Sequence, residues 1–302
     1  MEEFKSGLIG MTSQNWLTFI AQEKNMFTSA GLAHNYISFK SMREGLEKVK
    51  TGVVPICSSA ADTPIIAIDK GLPVKIIGAL NRVAFGHIVA RPEIASIKDL
   101  AGKRIGTIDV DLGSTIIVKE VLRAGGLKES EYKLICLGST VERYAALVKN
   151  EIEATYLSPP YDFKAQEEGY VFLADFAKMF PDYVISIYAN QKFLSRNTDI
   201  SVMFLKALAM ASRWIYDPAN RKEAIHILCE ATQISKSYGE KSYDYIIEES
   251  KGIAKDCMVD FDGLKRLSGI MKKSGLIEMK ISSSDYVNDS FLTMALKDSK
   301  TT

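Results

Sequence analysis

One unit of sequence occurs twice in this chain, and the repetition limits its architecture more than any other feature. Val49-Lys50-Thr51-Gly52 leads into an apolar strand, then Ser58-Ser59-Ala60-Ala61, a helix, and Lys70-Gly71. Val148-Lys149-Asn150-Glu151 leads into a second apolar strand, then Ser158-Pro159-Pro160, a helix, and Glu168-Gly169. Each copy is a helix, a strand, a Ser-containing turn and a second helix that opens at the carboxyl end of the strand. Ligands of open α/β sheets bind at that end, near helix N-termini. Two copies facing each other would enclose a cleft.

The flanking sequence extends the unit. LIGM reads as a strand, and residues 13–24 as a helix with Trp16, Phe19, Ile20 and Phe27 roughly in register. HNYISF is a strand, and Ser41 opens a helix in which Glu44 completes a capping box. VVPICS, a helix over 63–70 ending at Gly71, and VKIIGAL complete a βαβαβ series. A second series follows: a helical turn at 96–100, KRIGTI, a helix over 114–124 stopped by Gly125-Gly126, YKLICL, a helix over 141–149, and EATYL. After the helix ending at Gly169, YVFLADF and YVISIYAN read as strands. From about Ser195 the pattern becomes helical, over 200–216, 221–231, 242–252 and 261–274.

Composition removes several function classes. The 302 residues are 47% hydrophobic and 25% charged, ordinary for a globular chain. Lys and Arg number 38 against 37 Asp and Glu, a balance unlike that of nucleic-acid or polybasic membrane binders. No apolar run approaches the roughly 20 residues that span a bilayer. The opening MEEFKSGLIG has no charged segment leading into an apolar one, so no secretory signal is read there; the chain is either cytosolic or has lost its signal. Three His and four Cys without CxxC spacing argue against a metal site, and no cofactor motif is present. Cys57 and Cys136 end strand-like runs and are expected as small buried hydrophobes. Cys229 and Cys257 lie in the helical tail, where a disulfide is open but not indicated.

The order of these segments resembles a known family. "EGLEKVKTGVVPICSSAADTPIIAIDKGLPVKIIGAL", "IASIKDLAGKRIGTIDVDLGSTIIVKEVLRAGGL" and "AALVKNEIEATYLSPPYDFKAQEEGY" are similar to the nitrate/sulfonate/taurine type of substrate-binding protein of bacterial ABC importers. The likeness covers roughly residues 7–215, and "LAGKRIGT" with the Gly-Ser-Thr helix start is its most specific part. It implies a type II periplasmic-binding fold in which each lobe is a mixed, mostly parallel sheet flanked by helices. Lobe 1 would take residues 1–87 and 187–302 and lobe 2 residues 88–186, with hinge crossovers near 86–90 and 184–188. The helical tail is expected on lobe 1. The resemblance further implies a monomer without catalytic activity, periplasmic or lipid-anchored outside the cytoplasm, that closes on a small ligand and presents the closed form to a membrane permease.

The turns name candidate ligand residues. Ser13 and Asn15 follow the first strand and suit a head group, and Trp16 suits stacking; Ser13 is equally a helix cap and Trp16 equally core. Ser58 and Ser59 precede a helix starting near Thr63-Pro64, where N–H groups and hydroxyls suit a carboxylate or sulfonate. Asp62 reads first as that helix's N-cap; facing the cleft, it would favour a ligand carrying a donor. Gly113-Ser114-Thr115 is the leading anion candidate, since Gly lets backbone approach closely. Pro159 and Tyr161 occupy the matching place in the second unit, Tyr161 as a cover for the ligand. Arg82 and Phe85 flank the first crossover, Arg82 as a counter-charge or a surface residue. The favoured ligand is an organic sulfonate or carboxylate, or a small heteroaromatic compound, rather than nitrate.

Catalytic readings have less support. His34, His87 and His226 sit in no nucleophile–base motif, and no GxSxG, P-loop or GxGxxG occurs. His87, beside the expected cleft, reads as structural. Enzymes with this fold exist, among them pyrimidine-precursor synthases and menaquinone-pathway lyases, but the cysteine-rich iron-binding segment of the synthases is missing. A ligand-sensing domain is the third alternative.

Overall fold

The computed structural model describes residues 2–109, 111–181, 183–278 and 282–297. Ten strands are β1 Glu2–Ile9, β2 Leu32–Phe39, β3 Ile56–Ala60, β4 Val74–Asn81, β5 His87–Ala90, β6 Arg104–Thr107, β7 Lys133–Cys136, β8 Ala154–Leu157, β9 Val171–Asp175 and β10 Ile185–Asn190. They form two sheets of five, ordered β2-β1-β3-β10-β4 and β7-β6-β8-β5-β9. The fold is therefore α/β with two mixed sheets flanked by helices.

The two sheets share one plan. In the first, β1 runs parallel to β2 and β3, while β10 lies antiparallel between β3 and β4. In the second, β6 runs parallel to β7 and β8, while β5 lies antiparallel between β8 and β9. The repeated sequence unit falls on β3 in one sheet and β8 in the other, each followed by a helix, Asp62–Asp69 or Tyr161–Glu167. The antiparallel strand in each sheet is the one that arrives from the other sheet.

Residues 87–90 already pair with β8 and β9, and 185–188 already pair with β3 and β4. The passages between sheets are 82–86 and, among the described residues, 176–181 and 183–184. Gly86 has φ of +136°, and a Cβ there would lie 2.3 Å from the Leu157 carbonyl oxygen, so the first passage admits no side chain at that point.

The tail is helical, as its pattern indicates. The helix Thr198–Ile215 packs on the helix Trp16–Glu23 and on Ser290–Lys297. The helix Lys236–Tyr243 continues into a π-helical turn, Asp244–Glu249. The tail also reaches the second lobe: Tyr245 donates to Asp175 at 2.6 Å, and Tyr161 donates to the Thr232 carbonyl at 3.2 Å. Cys57 and Cys257 are buried, whereas Cys136 is exposed because β7 is an edge strand; all four cysteines are free thiols. No helix among the described residues is long and apolar enough to cross a membrane.

Candidate functional site

The carboxyl ends of β1 and β3 face those of β7 and β8 across a small cavity of about 50 Å³. From the first lobe it is lined by Gly10, Thr12, Gln14 and Asn15 after β1, by Met42, and by Ser58 and Ser59 in β3. From the second lobe come Ile108, Ser114, Ser139, Thr140, Arg143, Tyr156 and Ser158, and Tyr183 closes one wall from the second inter-sheet passage. Hydroxyl and amide groups therefore dominate the polar lining.

Arg143 is the one cation among the described lining residues. It sits in the first turn of the helix Thr140–Val148 and is only 2% exposed. Nη2 donates to the Thr140 hydroxyl at 3.1 Å. Nε and Nη1 are buried and have no hydrogen-bond partner among the described residues. No carboxylate among the described residues forms an ion pair with it. Burial pushes its pKa down to about 10, so it is a cation at neutral pH. Its guanidinium lies 5.6 Å from the centre of the Tyr156 ring. A buried, half-satisfied guanidinium is costly alone and is set to accept an anion or a strong hydrogen-bond acceptor.

The first-lobe wall is rigidly wired. Asn15 donates to the carbonyls of Ile9 and Gly10 and accepts from the Ser58 hydroxyl at 2.8 Å. Gln14 donates across the cleft to the Tyr156 and Ser158 hydroxyls, each at 2.9 Å. Asn81 donates to the Gln14 carbonyl at 2.8 Å and fixes that turn.

The Gly113 turn is arranged differently from the anion cradle expected of it. The Gly113 N–H donates to Asp62 Oδ2 at 2.5 Å, and the Thr115 hydroxyl donates to the Asp109 carbonyl at 2.6 Å. Only Ser114 of the three lines the cavity. Gly113 has φ of +66°, and a Cβ there would meet Ile108 and Met42 at 3.1 Å, so the fold itself needs this glycine. Asp62 is fully buried and also accepts from the Tyr183 hydroxyl at 3.0 Å. Burial raises its pKa to about 6, against the hydrogen bonds from Tyr183 and Gly113 that hold it down.

Asn15, Ser58, Ser59 and Ser114 are brought to the cavity. The other named residues do different work. Ser13 donates its hydroxyl and its N–H to the Pro159 carbonyl, joining the lobes. Trp16 is core: its Nε1–H donates to the Ala224 carbonyl at 3.0 Å and its ring meets Tyr243 edge-on. Phe85 is buried against Gly252, where the first passage meets the tail. Arg82 is exposed. Tyr161 turns toward the tail through Thr232.

Sequence reasoning misses Arg143, Ser139 and Thr140. Their signal is Ser139-x-x-Glu142, the same spacing as Ser41-x-x-Glu44, placed by the repeat at a strand's carboxyl end. His87 is buried and hydrogen-bonds Asp162 at 2.8 Å while stacking on Phe172. A Ser–His hydrogen bond exists elsewhere, Ser6 to His34 at 2.9 Å. It is enclosed by Phe4, Phe27 and Phe204, and burial pushes the His34 pKa down to about 3.

Comparison with known proteins fits this architecture. The family model described as NMT1/THI5 like matches residues 13–221. The chain belongs to the NMT1/THI5-like family. A curated relative, the formylaminopyrimidine-binding protein of Halalkalibacterium halodurans, is 23% identical over 219 residues, 70% of this chain and 64% of that protein. The alignment thus spans somewhat under two thirds of the relative. Solved structures share the fold at lower identity. The nitrate-binding protein NrtA of Synechocystis PCC 6803 matches with a TM-score of 0.82 at 14% identity, covering 98% of this chain and 88% of that one. The alkanesulfonate-binding protein SsuA of Xanthomonas axonopodis pv. citri, solved with MOPS, gives 0.78 at 14%, covering 95% and 98%. The desulfurization enzyme DSZB gives 0.71 at 13%, covering 99% and 100%. The fold is therefore that of ABC-importer solute-binding proteins, and at least one enzyme shares it.

Proposed function

We propose that this chain is the solute-binding component of an ABC importer and captures a small organic anion, a carboxylate or sulfonate, between its two lobes. The observation that supports this most is Arg143: a buried guanidinium with two unpartnered nitrogens, set among hydroxyls in the inter-lobe cavity. On this reading the head group takes the Ser139–Arg143 turn rather than Gly113-Ser114-Thr115. The protein acts outside the cytoplasm as a carrier, without chemistry of its own, and hands its ligand to a membrane permease.

A second reading has its own support. The curated relative is named for a formylaminopyrimidine, and a small heteroaromatic compound presenting a carbonyl or ring nitrogen would also satisfy Arg143. A thermal-shift panel separates the two. Its members are short alkanesulfonates and carboxylates, nitrate, bicarbonate and substituted aminopyrimidines. A ligand at about 100 times its dissociation constant adds roughly 2.7 kcal/mol. Stabilisation by organic anions supports the first reading, and stabilisation by aminopyrimidines alone supports the second. A response to nitrate or bicarbonate and to no organic compound defeats both.

A further inference from the structure

A second cavity, of about 220 Å³, lies beside the first between the helix Thr115–Ala124, residues 179–181 and 183 of the second passage, and the tail helix Phe261–Lys273. Its lining is mostly apolar: Ile117, Met179, Phe180, Leu267 and Ile270, with Arg266 also on its wall. One residue, Tyr183, lines both cavities. Tyr183 is buried, and its hydroxyl donates to Asp62.

The volumes make this adjacency matter. The Arg143 cavity, about 50 Å³, fits a head group and little else. An organic ligand needs room for its body, and the adjoining apolar space is the chamber behind Tyr183. From this we infer that Tyr183 is a partition between an anion-binding head-group site and an apolar chamber, and that the ligand is an amphiphilic organic anion whose hydrocarbon part occupies the chamber. The inference rests on the anion reading proposed above and adds to it the ligand's second half. Tyr183 stands on the second inter-sheet passage, so opening of the lobes moves the partition. Swinging it aside gives up one hydrogen bond to Asp62, which keeps its bond from Gly113. Burial of each methylene in the chamber then adds affinity in proportion to area.

The test is a homologous series of n-alkanesulfonates, methane- to octanesulfonate, titrated calorimetrically into the full chain and into two variants. Ile270→Trp narrows the chamber from a half-buried position, and Tyr183→Phe removes the bond that holds the partition. In the wild-type protein, affinity rises about fourfold per methylene until the chamber is full. In Ile270→Trp the rise is lost for longer members while methanesulfonate binds within about twofold of wild type. In Tyr183→Phe the rise is kept. A chain-length profile that is flat in the wild-type protein, with the short members bound, overturns the chamber and leaves the anion site standing. Failure of every sulfonate to bind overturns both, and an unchanged rise in Ile270→Trp overturns the placement of the hydrocarbon.

Discussion

Two helix starts in this molecule have the same sequence spacing and opposite fates. Ser41-Met42-Arg43-Glu44 opens the helix Met42–Thr51 in the first lobe, and Ser139-Thr140-Val141-Glu142 opens Thr140–Val148 in the second. At the first, the Ser41 hydroxyl accepts from Glu44 N–H, and the Glu44 carboxylate accepts from Lys40 N–H, both at 3.1 Å. Asp109 from the other lobe then accepts from Met42 N–H at 3.1 Å. At the second, the Ser139 hydroxyl donates to Glu142 instead of capping, and Arg143 lies behind it with two nitrogens unpaired. One N-terminus is saturated by the protein and joins the lobes. The other is left incomplete, and on the proposed reading it is where the ligand's head group would bind. Asp62 on Gly113 N–H mirrors Asp109 on Met42 N–H, so each lobe lends the other a carboxylate. Where the chain supplies its own anion, it has no need of a ligand's.

The largest effect is expected at the incomplete start. Arg143→Met should lower affinity for an organic anion by about two powers of ten or more, since charge-assisted hydrogen bonds contribute roughly 1.5–3 kcal/mol each. The same change should raise the stability of the ligand-free protein by about 1–3 kcal/mol, because a buried, partly unpaired cation is replaced by an apolar chain of similar length. Calorimetric titration and thermal melts read the two effects separately. Lower affinity with equally lower stability would make Arg143 a structural residue and remove the contrast between the two starts.

The next effect sharpens the carboxylate side. Burial holds the Asp62 pKa near 6, above the usual carboxylate value of 3.8. The folded state therefore binds this proton more tightly than the unfolded chain. Asp62's contribution is fully present below about pH 3.8 and is lost as pH rises through 6. Its ceiling is about 3 kcal/mol, since each tenfold difference in proton affinity between the folded and unfolded chain is worth about 1.4 kcal/mol. His34 acts in the opposite sense: with its folded pKa near 3, its contribution is lost as pH falls below 6.5. Asp62→Asn should leave a pH–stability profile that falls more steeply on acidification between about pH 7 and 4 than that of the wild type. Parallel profiles would show that Asp62 stays charged in the fold and that its bonds from Gly113 and Tyr183 are insensitive to pH.

Much of the fold is legible in the sequence because the repeat, the capping box and the strand–helix alternation are local signals. The crossings are harder to place. β5 and β10 are short apolar runs that begin almost at once on entering the new sheet, and nothing in HIVA or ISIYAN marks which sheet they join. The site is less legible for a different reason. Gly113-Ser114-Thr115 has every local mark of an anion cradle, yet its N–H is taken by Asp62, which stands 51 positions away in sequence. Trp16, Phe85 and Tyr161 lie in the right turns, but each side chain is spent on the tail, whose docking no local pattern reveals. Arg143 has the local pattern of an ordinary helix-surface residue; its burial beside Tyr156 comes from the packing of its helix on β8, which no local pattern reveals.

The smallest effects compare the two serines directly. Ser41→Ala removes a side-chain cap from a helix start and should cost about 1 kcal/mol of stability, the usual loss for such a cap. Ser139 makes no side-chain cap bond, and among the described residues its hydroxyl is hydrogen-bonded only to Glu142. Ser139→Ala should therefore change stability by less than about 0.5 kcal/mol, in the range of substitutions that break no such feature. Its effect should instead appear in binding. The Ser139 hydroxyl lines the cavity beside Arg143, and removing it should weaken an anion's affinity by roughly three- to tenfold, the equivalent of one ordinary hydrogen bond. Denaturant melts and calorimetric titration of the two alanine variants should thus give opposite rankings, Ser41 ahead in stability and Ser139 ahead in affinity. Equal losses in both measurements would mean that the two starts are both caps, and that the cavity's opening on the second lobe is incidental to binding.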